Sequence, residues 1–223
     1  MCSVVMEYEF EIGDGVAGGV VSDAERMGGD VVWPVQTHGC NVQVIERGSV
    51  FDGERVWGAD GSELDLSDTD AIVCLQKGIK VGVRTADCVP VVIYAPDINA
   101  VAAVHAGWKG TLGGIVEATV DMLCESGADP RLMQACFGPN ICGECYEVSR
   151  ELADEFRNSG FADCILGERN VELEGVNRKR LLAAGVREEN IVGKRYCTKT
   201  TPVFPSWRRK PCQERLLTWI GLS

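Results

Sequence analysis

The sequence predicts an α+β fold with a largely antiparallel or mixed β-sheet. Three observations predict it. The β-rich runs come in pairs before helices appear, without strict strand–helix alternation. Turn signals separate them, and helical periodicity begins only after residue 107. The 223 residues are 45% hydrophobic and 25% charged, as in ordinary globular proteins. That length suits a single domain over residues 1–223, which buries roughly 70% of its unfolded surface without needing staples.

Residues 4–12 alternate loosely and predict a strand. GDGVAGGVVSDAERMGGD (13–30) reads as a Gly-rich stretch punctuated by turns. VVWPVQ (31–36) and NVQVIE (41–46) read as strands around THGC. Residues 48–70 are polar and acidic, a surface excursion. DAIVCL (70–75) and KVGVRT (80–85) read as strands around a turn at Gln76-Lys77-Gly78. CVPVVIYA (88–95) and AVAAVHA (100–106) read as a hairpin closed by PDIN. Leu112, Ile115, Val116, Thr119 and Leu123 recur at helical spacing and predict a helix over 110–126. A short strand and a Gly/Cys-rich loop occupy 134–148. Helices follow at 149–160 and 177–186, the latter ended by Gly185, with strands at 191–197 and 216–222. No repeat, low-complexity tract or linker interrupts the chain.

A net charge of −11 argues against nucleic acid or an anionic membrane as partner. No stretch of 18 apolar residues exists to span a bilayer. MCSVVMEYEF lacks a basic n-region and a long apolar h-region, so no signal peptide is read. Eleven cysteines then suit a reduced, cytoplasmic setting, most of them as small buried hydrophobes.

The chemistry narrows because the chain has only two histidines. If the hairpin turn is centred between Pro96 and Asp97, Cys88 and His105 face each other, with Cβ atoms about 4.5–5.5 Å apart. A thiolate and an imidazole so placed could share a metal ion or pair as nucleophile and base. A one-residue slip would separate them. His38 lies in QTHG, also after an apolar run. His38, Cys88 and His105 together could bind zinc, leaving a fourth position open as catalytic sites do. Gly107, Gly110, Gly113 and Gly114 surround a helix start after His105, where free N–H groups favour an anion. Cys136, Cys142 and Cys145 form a further group whose spacing suits a structural zinc or a redox pair, with Cys164 or Cys197 as fourth ligand.

QTHG, TDAIV, RTADCVPVV, VAAVHAGWKGTLGGI and FGPNICGECYEV resemble the laccase-domain family, once called polyphenol oxidase and known for purine nucleoside phosphorylase activity. The resemblance runs from Trp33 to Val148 and continues more weakly through CTKTTPVFPSWRR. It implies β-sheets packed together with helices outside. It also implies zinc held by His38, Cys88 and His105, and phosphorolysis of adenosine, inosine or guanosine to base and ribose 1-phosphate. Adenosine deamination, methylthioadenosine phosphorolysis and peptidoglycan-precursor editing are also associated with the family. The front of the chain departs from the pattern: only GVAGGVVSDAERMGGD precedes VVWPVQTHG, so the domain reads as shortened at its N-terminus.

On this reading purine nucleoside and phosphate are the small-molecule partners. Asp87 is a general acid or base, or a group that orients an imidazole. Lys109 adds a donor, and Arg84, Arg208 and Arg209 are candidates to fork onto phosphate oxygens. The competing reading is a metal-free Cys–His hydrolase or amidase, with Cys88 as nucleophile and His105 as base. Ligand supply argues against a multi-copper oxidase, since two histidines cannot furnish several imidazole-rich centres. Nothing in the sequence specifies an oligomeric state.

Overall fold

The computed structural model describes residues 7–9, 12, 15–22, 31–193 and 196–223. In chain order the strands of the front half are β1 (Glu7–Glu9), β2 (Val16–Ser22), β3 (Val31–Val32), β4 (Val42–Ile45), β5 (Val50–Phe51), β6 (Val56–Trp57), β7 (Ala71–Cys74), β8 (Lys80–Thr85), β9 (Val89–Ala95) and β10 (Ala100–Ala106). Helices α1 (Trp108–Gly113) and α2 (Ile115–Glu125) follow, then β11 (Gln134–Phe137), α3 (Arg150–Phe156), β12 (Ile165–Leu166), β13 (Asn170–Val171), α4 (Leu173–Ala183), β14 (Ile191–Val192) and β15 (Leu216–Leu222).

Two mixed sheets form the body, in the orders β1-β2-β15-β8-β3 and β14-β11-β9-β10-β7-β4. The α+β class expected from the paired strands is the one the chain adopts. The apolar runs of β9 and β10 are buried on both faces because the six-stranded sheet is the middle layer. Val92, Tyr94, Val101 and Ala103 point toward the five-stranded sheet, where they meet Val81, Val83, Leu216 and Ile220. Val91, Ile93, Ala102 and Val104 point the other way, onto Ile115, Val116, Val120 and Leu123 of α2 and Leu181 of α4. Burying one such Val, Leu or Ile side chain contributes about 1.5–3 kcal/mol, so this double-faced strand pair anchors the fold.

The hairpin register differs from the expected one. His105 stands opposite Pro90 and Ala106 opposite Val89, and the turn takes four residues, Pro96 to Asn99. The shift is two residues, so parity survives. Cys88 remains on the same face as Pro90 and His105, as a diagonal rather than a direct neighbour.

Other elements also depart from the reading of the sequence. Part of the Gly-rich stretch is strand β2, held between β1 and β15. There Gly19 pairs with Trp219 and Gly18 with Ile220, so small residues lie opposite large ones. The expected strand at 4–12 is seen as Glu7–Glu9. Residues 4–6, 10, 11, 13, 14, 23–30, 194 and 195, which share in the predicted elements, lie outside the described residues. The run 31–36 is strand only at Val31–Val32, consistent with Pro34 lacking an N–H to donate. Within 48–70, β5 and β6 make a small hairpin. In the tail, among the described residues of 191–197 the strand is Ile191–Val192, whereas β15 fills 216–222. Helix α4 starts at Leu173, four residues before the predicted start, and α3 ends at Phe156, followed by wider helical turns to Phe161.

The predicted helix over 110–126 is two helices. Gly114 takes φ 86°, ψ 31°, capping α1 and opening α2. The helix start behind His105 therefore belongs to a six-residue helix, too short for the expected dipole effect on an anion. A Cβ at Gly114 would also lie 3.4 Å from Glu117 and 3.5 Å from Arg180, which pair with each other. Gly114→Ala is expected to destabilise the protein by about 1–2 kcal/mol through the left-handed backbone alone. A lowered urea midpoint with unchanged m-value is the measurement that checks it.

Candidate functional site

Sheet direction brings the site together. Strands β4 and β7 run parallel, β10 runs antiparallel to β7, and β9 antiparallel to β10. The starts of β4, β7 and β9 and the end of β10 therefore share one end of the six-stranded sheet. His38 precedes β4, Asp70 precedes β7, Cys88 precedes β9, and His105 is the penultimate residue of β10. Ligand atoms of His38, Cys88 and His105 all lie within 4.8 Å of one another. The two imidazole rings meet edge to face with centroids 4.8 Å apart. His38 is exposed, Cys88 partly buried and His105 buried, so the group opens to solvent on the His38 side.

Asp70, which the sequence reading passed over although TDAIV contains it, organises the site. Its carboxylate meets His105 Nδ1 at 2.6 Å. It also accepts from the backbone N–H groups of Thr37 (3.2 Å), His38 (3.0 Å) and Gly39 (2.7 Å). With Nδ1 committed to Asp70, Nε2 of His105 is the nitrogen left for a ligand, the usual arrangement behind a metal-binding imidazole. The three N–H bonds hold the 37–39 turn in which His38 takes φ 65°, a left-handed conformation uncommon outside glycine. Asp87, just before Cys88, is likewise left-handed at φ 101°. Such backbone persists where its surroundings over-determine it, and it clusters at functional sites. The sequence signal for Asp70 was a carboxylate at the mouth of a buried strand, the same signal that drew attention to Asp87.

Gly107 shows how tightly the group is packed. A Cβ there would sit 3.0 Å from the His38 ring and 3.3 Å from Cys88 Sγ. The donor set fits a borderline cation such as zinc: two imidazoles and a thiol, with one imidazole already oriented by a carboxylate.

The expected charged groups do not gather in one place. Asp87 is buried, and both oxygens are engaged: Oδ1 accepts from the Thr198 hydroxyl (2.6 Å) and Oδ2 from the Arg208 N–H (2.7 Å). It does not touch an imidazole nitrogen in the manner of Asp70; its contacts fasten the tail segment beside Cys88. The Arg208 guanidinium lies 4.8 Å from the Tyr146 ring and donates to the Glu147 carbonyl. Tyr146, a second residue missed from sequence, has its phenol pushed up to about 12 by burial and by the nearby Cys88 charge. Arg209 is turned to the carbonyls of Thr198 (2.9 Å), Thr201 (3.1 Å) and Phe204, so its donors close the 198–209 loop rather than face a phosphate. Arg84 points over Trp33 at 6.0 Å, and its buried Nε finds no partner among the described residues. Lys109 is exposed over Trp108 at 5.5 Å. A cleft of about 730 Å³ lined by Trp33, Val35, Leu66 and Ser67, among others, contains none of the three candidate ligands.

The charges pair across the centre. Burial alone would raise the Cys88 thiol, but hydrogen bonds and charge from His105 and His38 outweigh it and bring it down to about 6. Burial would lower His105, yet Asp70 and Cys88 carry it up to about 9. Asp70 stays below the usual carboxylate range: its burial is outweighed by His105 and the N–H groups of the 37–39 turn.

The fold and this two-histidine, one-cysteine group define an α+β chain with a candidate metal centre at the mouth between two sheets. The chain belongs to the family described as multi-copper polyphenol oxidoreductase laccase, which matches residues 20–223. It is 40% identical over 178 residues to the protein named adenosine deaminase RL5 from an unknown prokaryotic organism, across 76% of this chain and 66% of that protein. It is 39% identical over 157 residues to the purine nucleoside phosphorylase of Deinococcus radiodurans, across 69% of this chain and 61% of that protein. The chain thus matches just under two thirds of the length of these relatives. Among solved structures it is similar to the hypothetical protein YfiH of Bacillus licheniformis, with TM-score 0.83, 27% identity, and 97% and 96% of the two chains covered. YlmD from Geobacillus stearothermophilus shares the fold, with TM-score 0.77, 23% identity, and 94% and 92% covered. No helix among the described residues is long and apolar enough to cross a membrane.

In metal-free protein Cys88 is expected to react with iodoacetamide as a thiolate at neutral pH, its rate falling only as pH drops through about 6. Buried Cys74 and Cys136, raised to about 11 and about 12 by burial, stay inert as internal controls. Peptide mass spectrometry of alkylated protein across the pH range reads this. A Cys88 rate still climbing at pH 9 would show an ordinary thiol.

Proposed function

We propose that the chain phosphorolyses purine nucleosides at a zinc centre formed by His38, Cys88 and His105. The observation that carries the reading is the convergence of three ligand atoms within 4.8 Å, with Asp70 holding His105 from behind. Relatives named purine nucleoside phosphorylase supply the reaction class. In this reaction a phosphate oxygen bonds to ribose C1′ while the C1′–N9 bond breaks. The bonding pair leaves with the purine, which takes up a proton.

The protein's own residues supply most of what that needs. Zinc, when bound, supplies a Lewis acid that pairs with the anionic substrate. Asp70 and the 37–39 turn keep both imidazoles oriented before substrate arrives, which removes an ordering cost. Arg208, fixed by Asp87 and Tyr146 beside Cys88, pairs with phosphate. Tyr146, kept neutral, is a phenolic donor for the departing base. Arg84 and Lys109 remain further candidates for binding phosphate.

A second reading, adenosine deamination, is favoured by the 40% identity to a protein named adenosine deaminase. Here water replaces the 6-amino group and ammonia leaves. One assay separates the two: phosphorolysis releases base and ribose 1-phosphate only with phosphate present, and deamination releases ammonia without it.

The metal-free rival uses the same Cys88–His105–Asp70 line as nucleophile, base and orienting group. His38 distinguishes them. His38→Ala is expected to abolish zinc binding at this centre and phosphate-dependent base release together; turnover that persists in the variant would favour the cysteine nucleophile. Arg208→Gln is expected to raise the phosphate KM about tenfold, in line with loss of a charged hydrogen bond. Steady-state kinetics at varied phosphate check this, and an unchanged KM removes Arg208 from the phosphate site.

A further inference from the structure

A second cluster of metal-ligating side chains lies outside this centre. The sulfurs of Cys142, Cys145 and Cys197 all lie within 4.8 Å of one another. Of the group the spacing suggested, Cys142, Cys145 and the candidate fourth ligand Cys197 come together, whereas Cys136 and Cys164 do not. Cys136 is buried in the core between the two sheets, and Cys164 in the core beneath the helices. Cys197 is brought in from 55 residues away.

The setting is built around sulfur. Cys142 caps a short helical turn over Gly143–Cys145, which returns Cys145 beside it through the Cys145 N–H to Cys142 carbonyl bond (3.0 Å). The Cys142 N–H donates to Cys197 Sγ at 3.4 Å, and Thr200 donates to the same sulfur through its backbone and hydroxyl. N–H and O–H donors aimed at one sulfur stabilise a thiolate. The Glu144 carboxylate reaches the Cys142 thiol and puts an oxygen donor at hand. All three cysteines are partly buried, open enough to exchange a ligand.

We infer that Cys142, Cys145 and Cys197 form a second, thiolate-rich site for a zinc-type cation, with the Glu144 carboxylate completing the coordination. Zinc–sulfur bonds of about 2.3 Å place sulfurs around a tetrahedral ion about 3.8 Å apart, so the cluster contracts by at most about 1 Å on binding. Each cysteine loses its proton to solvent as the cation binds; no oxidant is needed. The acidic chain favours cation uptake.

The site would be structural. It ties the 138–145 loop to the 196–209 segment, which otherwise meet through Asn140 N–H to the Tyr196 carbonyl (3.2 Å) and Thr198 N–H to the Asn140 carbonyl (2.9 Å). That segment carries Thr198 and Arg208, the partners of Asp87. The inference stands independently of the phosphorylase reading.

The test uses Co²⁺ as a spectroscopic substitute for zinc on reduced, chelator-stripped full-length protein. His38→Ala combined with His105→Ala removes the first centre. This double variant is expected to take up one further equivalent with strong sulfur-to-cobalt charge-transfer absorption. Adding Cys145→Ser or Cys197→Ser should abolish most of it. In wild-type protein, Zn²⁺ should protect Cys142, Cys145 and Cys197 from alkylation, read by peptide mass spectrometry, so the inference does not depend on any variant folding. No uptake by the double variant together with no zinc protection in the wild type would overturn it. So would uptake insensitive to these cysteines, or two of the three held as a disulfide that, once reduced, takes no metal.

Discussion

The structure of the candidate centre depends on the Asp70 carboxylate. A buried carboxylate is costly unless its lone pairs are satisfied, and this one accepts from three consecutive backbone N–H groups and one imidazole. The same bonds hold His38 in a left-handed turn and orient His105. Together they tie the exposed His38 turn to the buried end of β10. Preorganisation here comes from one side chain shared by two loops.

Behind that carboxylate stand strands packed on both faces. β9 and β10 are buried on both faces, between a second sheet and the helices α2 and α4. Cys88 just precedes the start of β9 and His105 lies at the end of β10, so both stand at the same end of the sheet. The two-residue difference between the expected and observed registers leaves them on one face because side-chain alternation has period two. A two-residue shift therefore changes the direct partner of His105 but keeps both side chains on one face.

Asp87 plays a parallel part on the other side of Cys88. Its oxygens hold the Thr198 hydroxyl and the Arg208 N–H, and its carbonyl accepts from Ile141 N–H (2.9 Å). Three distant segments meet around one thiol. Arg209 fills its donors with carbonyls of the loop that carries Arg208, so two adjacent arginines of similar appearance have different work: one shapes the loop, the other stands beside Tyr146.

The sequence by itself determined the runs whose signals are local. Strands β8, β10 and β15 begin and end where alternation and turn residues say they should, because both act within a few residues. With only two histidines, the composition also narrowed the candidate ligands to a short set. Tertiary structure decided what depends on distant segments. Asp70 meets His105 across 35 residues, Cys142 meets Cys197 across 55, and Asp87 meets Thr198 across 111. Strand β2 was hidden because its glycines are tolerated only opposite the bulk of β15, and the break at Gly114 was masked by helical spacing that continues through it. In each case the deciding contact comes from sheet order and layer packing, which place segments side by side without leaving a pattern in either one alone.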